Sequence, residues 1–186
     1  SPYMEMDLKD YKTCDIGDLD LPMGDVEGDL DEISRVTREI LADNKKTMMI
    51  GGEHLVTYGT IREYIKKYPD LNIIHFDAHT DLREEFLGRE LSHATVLRKC
   101  YDMLGSGTLY QFGIRSGDRS EFEWAKTHIH QTKFSFDGLD ECIEALKDKP
   151  VYLTIDLDVL DPSVFPGTGT PEAGGVTYKE LQDAIL

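Results

Sequence analysis

Asp77, His79 and Asp81 alternate along one short stretch of this chain, and Asp156 and Asp158 repeat the same spacing farther on. In extended chain, residues two apart point to the same side, so each set converges on one spot. Carboxylates crowded together repel one another, and burying them unpaired is costly. A bound divalent cation is the simplest remedy. Asp77, Asp81, Asp156 and Asp158 carry four negative charges when ionised, which two divalent ions would balance. His54, at the end of Gly51-Gly52-Glu53-His54, and His79 add neutral nitrogen donors. Carboxylate oxygen with some imidazole and no thiolate favours manganese over a metal that prefers soft ligands. Ligand type alone leaves zinc, iron, cobalt and nickel open.

Other motifs carry less chemistry. A single DxD or DxH in an acidic chain is ordinarily a solvated or capping pair; what raises these above that reading is the set. Asp161-Pro162 reads as turn chemistry. His128 and His130 form an H-x-H with nothing nearby to complete a site, and read as surface or strand histidines. Gly167-Thr168-Gly169-Thr170-Pro171 lacks the GK[ST] ending of a phosphate-binding loop.

The elements that must position these residues follow from the apolar pattern. Asp29 reads as a helix cap, with Leu30, Ile33, Ile40 and Leu41 on one face of the helix that follows. Thr47 to Ile50 reads as a buried strand ending at Gly51-Gly52. Leu55 to Tyr68 reads as a helix stopped by Pro69. Asn72 to Phe76 is a second buried strand, and His93 to Leu104 a helix with Val96, Leu97, Cys100, Tyr101 and Leu104 on its apolar face. Tyr110 to Ile114 is a third strand and Lys133 to Phe136 a candidate fourth. Leu139, Cys142, Ile143 and Leu146 mark a helix, and Val151 to Ile155 another strand. This alternation predicts an α/β domain with a mainly parallel sheet, its strands covered on both faces. Ligands of such sheets sit at the carboxyl ends of the strands. Gly51–His54, Asp77–Asp81 and Asp156–Asp158 each follow a predicted strand, so the sheet would bring all three together.

The 186 residues, 40% of them hydrophobic, suffice for one globular domain with a sizeable core. A net charge of −16 argues against nucleic acid and anionic membrane as partners and would attract a small cation. Cys14, Cys100 and Cys142 form no CxxC pair and no even framework, which suits a reducing, cytoplasmic setting. The chain starts at Ser1 and ends at Leu186 within a helical pattern (Leu181, Ala184, Ile185) that has no stop signal. The expectation is a single domain, residues 1–186, that continues past both ends.

GGEH at 51–54, FDAHTDLR at 76–83, SHATVLRK at 92–99 and TIDLDVLDPSVFPGTGTPEAGG at 154–175 resemble the signatures of the ureohydrolases, the family of arginases and agmatinases. The likeness runs over essentially the whole chain, and is greatest to the bacterial agmatinase branch. It implies a three-layer αβα fold with a parallel eight-stranded sheet, truncated here at both ends, and a homotrimer or homohexamer. It implies one metal on His54, Asp77, Asp81 and Asp156 and a second on Asp77, His79, Asp156 and Asp158, with Asp77 and Asp156 bridging. The implied reaction is hydrolysis of the guanidinium of agmatine to urea and putrescine, a step toward polyamines. Asp158 would contact the attacked centre, His93 would pass a proton to the leaving amine, and Thr170 would hydrogen-bond close to the metals.

Where arginases carry an asparagine that binds the α-carboxylate of arginine, this chain has Arg83, which resembles agmatinases. Arg83 could instead attract a substrate carboxylate, as in a guanidinobutyrase or guanidinopropionase, or pair with a surface acid. The family also places a glutamate from a later xVEVxP-like segment against the guanidinium, and no such segment occurs within these 186 residues. Competing readings are another ureohydrolase, including arginase; a deacetylase of the same broad fold, which would use a single zinc; and a non-catalytic metal-binding regulatory subunit.

Overall fold

The computed structural model describes residues 5–22 and 24–186. Its centre is a parallel four-stranded sheet in the order β3-β2-β1-β4, formed by β1 (Asn72–Phe76), β2 (Leu109–Ile114), β3 (His130–Lys133) and β4 (Val151–Ile155). β1 runs through the middle and is buried along its whole length, as expected of an apolar strand flanked by two others and covered on both faces.

Alternate residues of β1 face two separate cores. Ile73 packs with Leu109 of β2 against α1 (Val26–Ala42), α2 (Val56–Lys67), α3 (Val96–Leu104) and α4 (Arg119–His128). Ile74 and Phe76 pack with Phe112 against α5 (Leu139–Ala145) and α6 (Tyr178–Ile185). Helices therefore cover both faces, and the three layers expected from the sequence are present.

The first helix starts earlier than its pattern suggests. Asp25, not Asp29, caps α1 by accepting the backbone N–H of Gly28; Asp29 lies inside the first turn, where an acid still faces favourable backbone dipoles. Leu30, Ile33 and Leu41 are buried on its inner face. α1 and α2 cross closely at Gly59, where an added Cβ would come within 2.9 Å of Ile33 Cγ2. Ser34 Oγ seals the crossing by donating to the Gly59 carbonyl at 2.8 Å.

Three other expectations change. Thr47 to Ile50 forms no strand: Met48 and Ile50 are 91% and 89% exposed. Its half-buried residues hydrogen-bond to α2, through Thr47 N–H to the Tyr64 hydroxyl and Thr60 Oγ1 to Met49 sulfur. Among the described residues the apolar run joins no ladder, and without one its backbone groups are left to solvent and to side chains. The strand expected at Lys133 to Phe136 lies earlier, as β3, because Phe134 takes φ +62° and breaks the extended chain. The helix expected from His93 opens as a 3-10 turn, His93–Thr95, before α3 begins. α4 has a charge-rich sequence that hides its apolar face, which is carried by Ala125 and the half-buried Phe122 and Trp124.

Among the described residues no helix is long and apolar enough to cross a membrane. Cys14, Cys100 and Cys142 are all free thiols.

Candidate metal centre

The carboxyl ends of β1 and β4 lie side by side, with Phe76 opposite Ile155 in register. Asp77 follows β1 directly and Asp156 follows β4. The sheet therefore sets the distance between the two acidic motifs before any side chain is placed. Asp81 adopts φ +52°, a left-handed conformation uncommon for a residue other than glycine. Backbone held in this way clusters at functional sites, and here it keeps Asp81 beside the end of β1. Gly113 of β2 lets the neighbouring strand pass close: an added Cβ would lie 2.5 Å from Val159 Cγ2 and 3.2 Å from the Asp77 carbonyl oxygen.

The side chains form two groups that share one corner. His54 Nδ1 lies 3.1 Å from Asp77 Oδ2, 3.1 Å from Asp81 Oδ2 and 3.7 Å from Asp156 Oδ2. His79 Nδ1 lies 2.9 Å from Asp158 Oδ2 and 3.4 Å from Asp77 Oδ1. One group is thus His54, Asp77 and Asp81 with His75 beside them, and the other is Asp77, His79 and Asp158. Asp77 presents one oxygen to each. Asp156 stands at the rim, half-buried; its Oδ1 accepts the Asp158 N–H at 2.9 Å and its Oδ2 faces His54.

The donor set fits divalent cations. His54 Nδ1 is buried among carboxylate oxygens yet makes a hydrogen bond to none of them. An imidazole nitrogen aimed into a cluster of acids without a proton contact is arranged as a metal ligand is. Its other nitrogen, Nε2, meets Thr154 Oγ1 at 3.1 Å.

The electrostatics of the cluster without metal point the same way. Burial and the charge of Asp77 push the Asp81 carboxyl up. Burial raises Asp158 to about 6, with the charges of Asp77 and Asp156 adding to the effect and His79 opposing it. Burial works against charge on His79, but Asp158 and Asp77 outweigh it and raise the imidazole to about 10. His54 is raised well above the ordinary histidine range for the same reason, by Asp77 and Asp81 against burial. Asp77, although buried, is held well below the usual carboxylate range by the three histidines around it, His75, His54 and His79. Without a cation the carboxyls crowd one another and press on the histidines beside them, an imbalance that divalent ions would relieve.

Of the other residues singled out in the sequence, Thr170 joins the cluster, donating from Oγ1 to Asp158 Oδ2 at 3.2 Å. His93 is half-exposed, with Nδ1 3.4 Å from Oε1 of Glu53, the residue before His54, and its ring edge-on to Phe86. Arg83 reaches away from the cluster. It pairs with Asp118 at 3.1 Å and with the buried Glu121 at 3.5 Å. Glu121 in turn accepts from Thr80 Oγ1 and from the backbone N–H of Leu82. Asp161 behaves as turn chemistry, accepting from Ser163, Gly174 and Gly175. His128 ends α4, and His130 opens β3 exposed to solvent.

Several contributors do not stand out in the sequence. Arg115 donates to the carbonyls of Gly113, Asp158, Val159, Leu160 and Glu172, and so ties the loop after β4 to the loop that carries Thr170. Glu172 approaches His79 Nε2 at 3.8 Å and accepts from Ser116 Oγ. His75, Gln111 and Thr154 are polar residues buried inside strands. That is the available signal, since a buried polar side chain in an apolar strand needs a partner.

Fold and site together define a three-layer α/β domain with a candidate binuclear metal centre at the ends of its parallel strands. A sequence profile of the arginase family matches residues 1–186, and the chain belongs to that family. It is 51% identical over 187 residues to the agmatinase of Bacillus subtilis strain 168, covering 100% of this chain and 64% of that protein. It is 49% identical over 189 residues to the agmatinase of Bacillus anthracis, covering 100% of this chain and 65% of the relative. The chain thus spans about two thirds of the length of these relatives. A crystal structure from Clostridium difficile, described provisionally as an agmatinase, superposes with a TM-score of 0.95 at 49% identity, over 98% of this chain and 67% of that one.

Proposed function

We propose that the protein is an amidinohydrolase that cleaves the guanidinium group of agmatine to urea and putrescine, with manganese as its metal. The observation that carries the reading is the pair of ligand groups sharing Asp77, in a chain about half identical to agmatinases. In this reading one ion is held by His54, Asp77, Asp81 and Asp156 and the other by Asp77, His79, Asp156 and Asp158. Two such ions, when bound, supply an activated water and orient its attack, which a poorly electrophilic guanidinium carbon requires.

The chain's own side chains do the rest. Asp158 faces the attacked centre and passes its proton, held in place by Thr170 through Oδ2 and by the Ala78 N–H through Oδ1. His93 delivers a proton to the leaving amine, with Glu53 beside its Nδ1 to orient the ring. Arg83 bears on substrate choice by its engagement with Asp118 and Glu121. A guanidinium already committed to two acids offers little to a substrate carboxylate, which supports agmatine over 4-guanidinobutyrate or arginine. The net charge of −16 favours approach of a cation. A homotrimer or homohexamer in the cytoplasm, supplying putrescine to polyamine synthesis, belongs to the same proposal.

The test is urea release by the manganese-loaded, full-length protein from agmatine, arginine, 4-guanidinobutyrate and 3-guanidinopropionate side by side. The expected result is urea from agmatine alone. Urea from a carboxylate-bearing substrate would overturn the substrate assignment and leave the metal centre standing. No urea from any of the four, with two metals verified per chain, would overturn the catalytic reading in favour of a non-catalytic metal-binding subunit.

A further inference from the structure

A row of polar side chains crosses the sheet beneath the metal centre, one residue from each strand. Gln131 of β3 pairs in register with Gln111 of β2, Gln111 with His75 of β1, and His75 with Thr154 of β4. Gln111 and His75 are fully buried, and Thr154 is 7% exposed. The contacts are continuous from β3 to β1. Gln131 Nε2 donates to Gln111 Oε1 at 2.8 Å, Gln111 Nε2 meets His75 Nδ1 at 3.0 Å, and His75 Nε2 meets Asp77 Oδ2 at 2.8 Å. On the other side Thr154 Oγ1 joins His54 Nε2 and Thr57 Oγ1.

A second contact of Gln111 sets the direction of this chain. Its Nε2 also donates to the carbonyl of Thr80 at 2.6 Å. A backbone carbonyl only accepts, so the amide nitrogen, not the oxygen, occupies that position. Both amide hydrogens are then assigned, one to Thr80 O and one to His75 Nδ1. Nδ1 accepts, and the ring hydrogen is on Nε2, pointing at Asp77. His75 is near enough to the first ligand group to be counted with it, but neither ring nitrogen is left to bind a cation.

We infer that the row Gln131-Gln111-His75-Thr154 is a positioning device, in which His75 fixes the shared carboxylate Asp77 and Thr154 fixes the ring of His54 for metal binding. His75 contacts Asp77, Thr154 contacts His54, and Gln111 holds the backbone between His79 and Asp81 while Gln131 holds Gln111. Apolar residues would fill these strand positions at lower desolvation cost; what the polar ones add is orientation. Outer hydrogen bonds of this kind typically change metal affinity by about 10–100-fold. The inference rests on the metal centre of the proposed function and not on its substrate.

The experiment is a manganese titration of the full-length protein against a competing chelator, without substrate, with circular dichroism to verify folding. The variants are His75→Leu, His75→Gln and Thr154→Val. The side-chain nitrogen of glutamine stands where imidazole Nε2 stood and keeps an N–H toward Asp77. His75→Leu is expected to bind manganese about 10–100-fold more weakly, and His75→Gln to recover most of that loss with two ions per chain. Thr154→Val keeps the β-branched shape suited to β4, removes only the hydroxyl, and is expected to weaken binding in the same direction; it decides the matter should His75→Leu fail to fold. Wild-type affinity in folded His75→Leu or in Thr154→Val would overturn the proposal. Equal weakening in His75→Leu and His75→Gln, or one ion lost from His75→Gln, would also overturn it, by making His75 a packing residue or a ligand. Metal binding that responds as expected in a protein releasing no urea would uphold the row and overturn only the catalytic reading.

Discussion

Ile73 and Ile50 each sit in a short apolar run that reads as a buried strand, and they end in opposite surroundings. Ile73 is fully buried in β1 between β2 and β4, with helices packed over it. Ile50 is 89% exposed in a segment that pairs with nothing among the described residues. β4 is the outer strand on the other side of β1 from β2, with Val151 and Leu153 41% and 42% exposed. Composition is alike in the two runs; available backbone partners are not. An apolar run states that a segment should be buried, and only a neighbouring strand makes it part of a sheet. The side of the sheet from β1 to β3 has those neighbours, and it carries the row of buried polar residues that reaches Asp77.

The largest effect is expected at Asp77, the residue both candidate ligand groups share. Asp77→Ala removes one oxygen from each group and leaves His54, His75 and His79 facing a vacated corner. The expected outcome is loss of manganese from both positions and of all measurable urea release, with the fold retained. Metal analysis after gel filtration checks it. Two ions still bound would show that the centre is held chiefly from the β4 side, by Asp156 and Asp158, and that the interior strand β1 contributes less to it than β4 does.

Smaller effects are expected in the two apolar runs, and they differ between them. Ile73→Ala in the central strand should cost about 2–5 kcal/mol, the usual range for a buried isoleucine emptied to alanine. Ile50→Ala, the same chemical change at an exposed position, should stay within about 0.5 kcal/mol. Urea denaturation of the 186-residue chain measures both. A cost at Ile50 approaching that at Ile73 would mean that the segment 47–50 is covered in solution.

The same contrast explains what is legible in the sequence. The candidate ligands His54, Asp77, His79, Asp81, Asp156 and Asp158 stand out because their types and spacing are unusual, and because β1 and β4 have clear apolar patterns that place the motifs at strand ends. Thr47 to Ile50 misleads because pattern carries no information about partners. α4 escapes notice because its inner face is small and its sequence largely charged. His75, Gln111 and Thr154 stand inside otherwise apolar runs, and what they do depends on cross-strand register, which no local pattern encodes. Arg115 is the same case on a larger scale. Its carbonyl partners range from Gly113 to Glu172, and only the fold brings them within reach of one side chain.

A further effect lies in the pH dependence of the metal-free protein. His79 is raised to about 10 and His54 well above its ordinary value, so both bind a proton more tightly folded than unfolded. Their contribution is complete below the unfolded histidine value of about 6.5 and is lost as pH rises toward the folded values. Asp158, raised to about 6, and Asp81, also raised, act in the same direction from about pH 4 upward. Asp77, held low, opposes them only in acid, outside this window. Chelated protein should therefore melt at progressively lower temperature from about pH 6.5 to about pH 9. Manganese requires the ligands deprotonated, so the stabilisation it adds should grow over the same range and flatten the profile. Surface charge repulsion would also lower stability with rising pH in a chain of net charge −16, and His79→Asn separates the two causes. If the cluster is responsible, the chelated variant loses most of the slope; if its slope equals that of the unaltered protein, the protons lie elsewhere and the cluster is not the part of the molecule that pH destabilises.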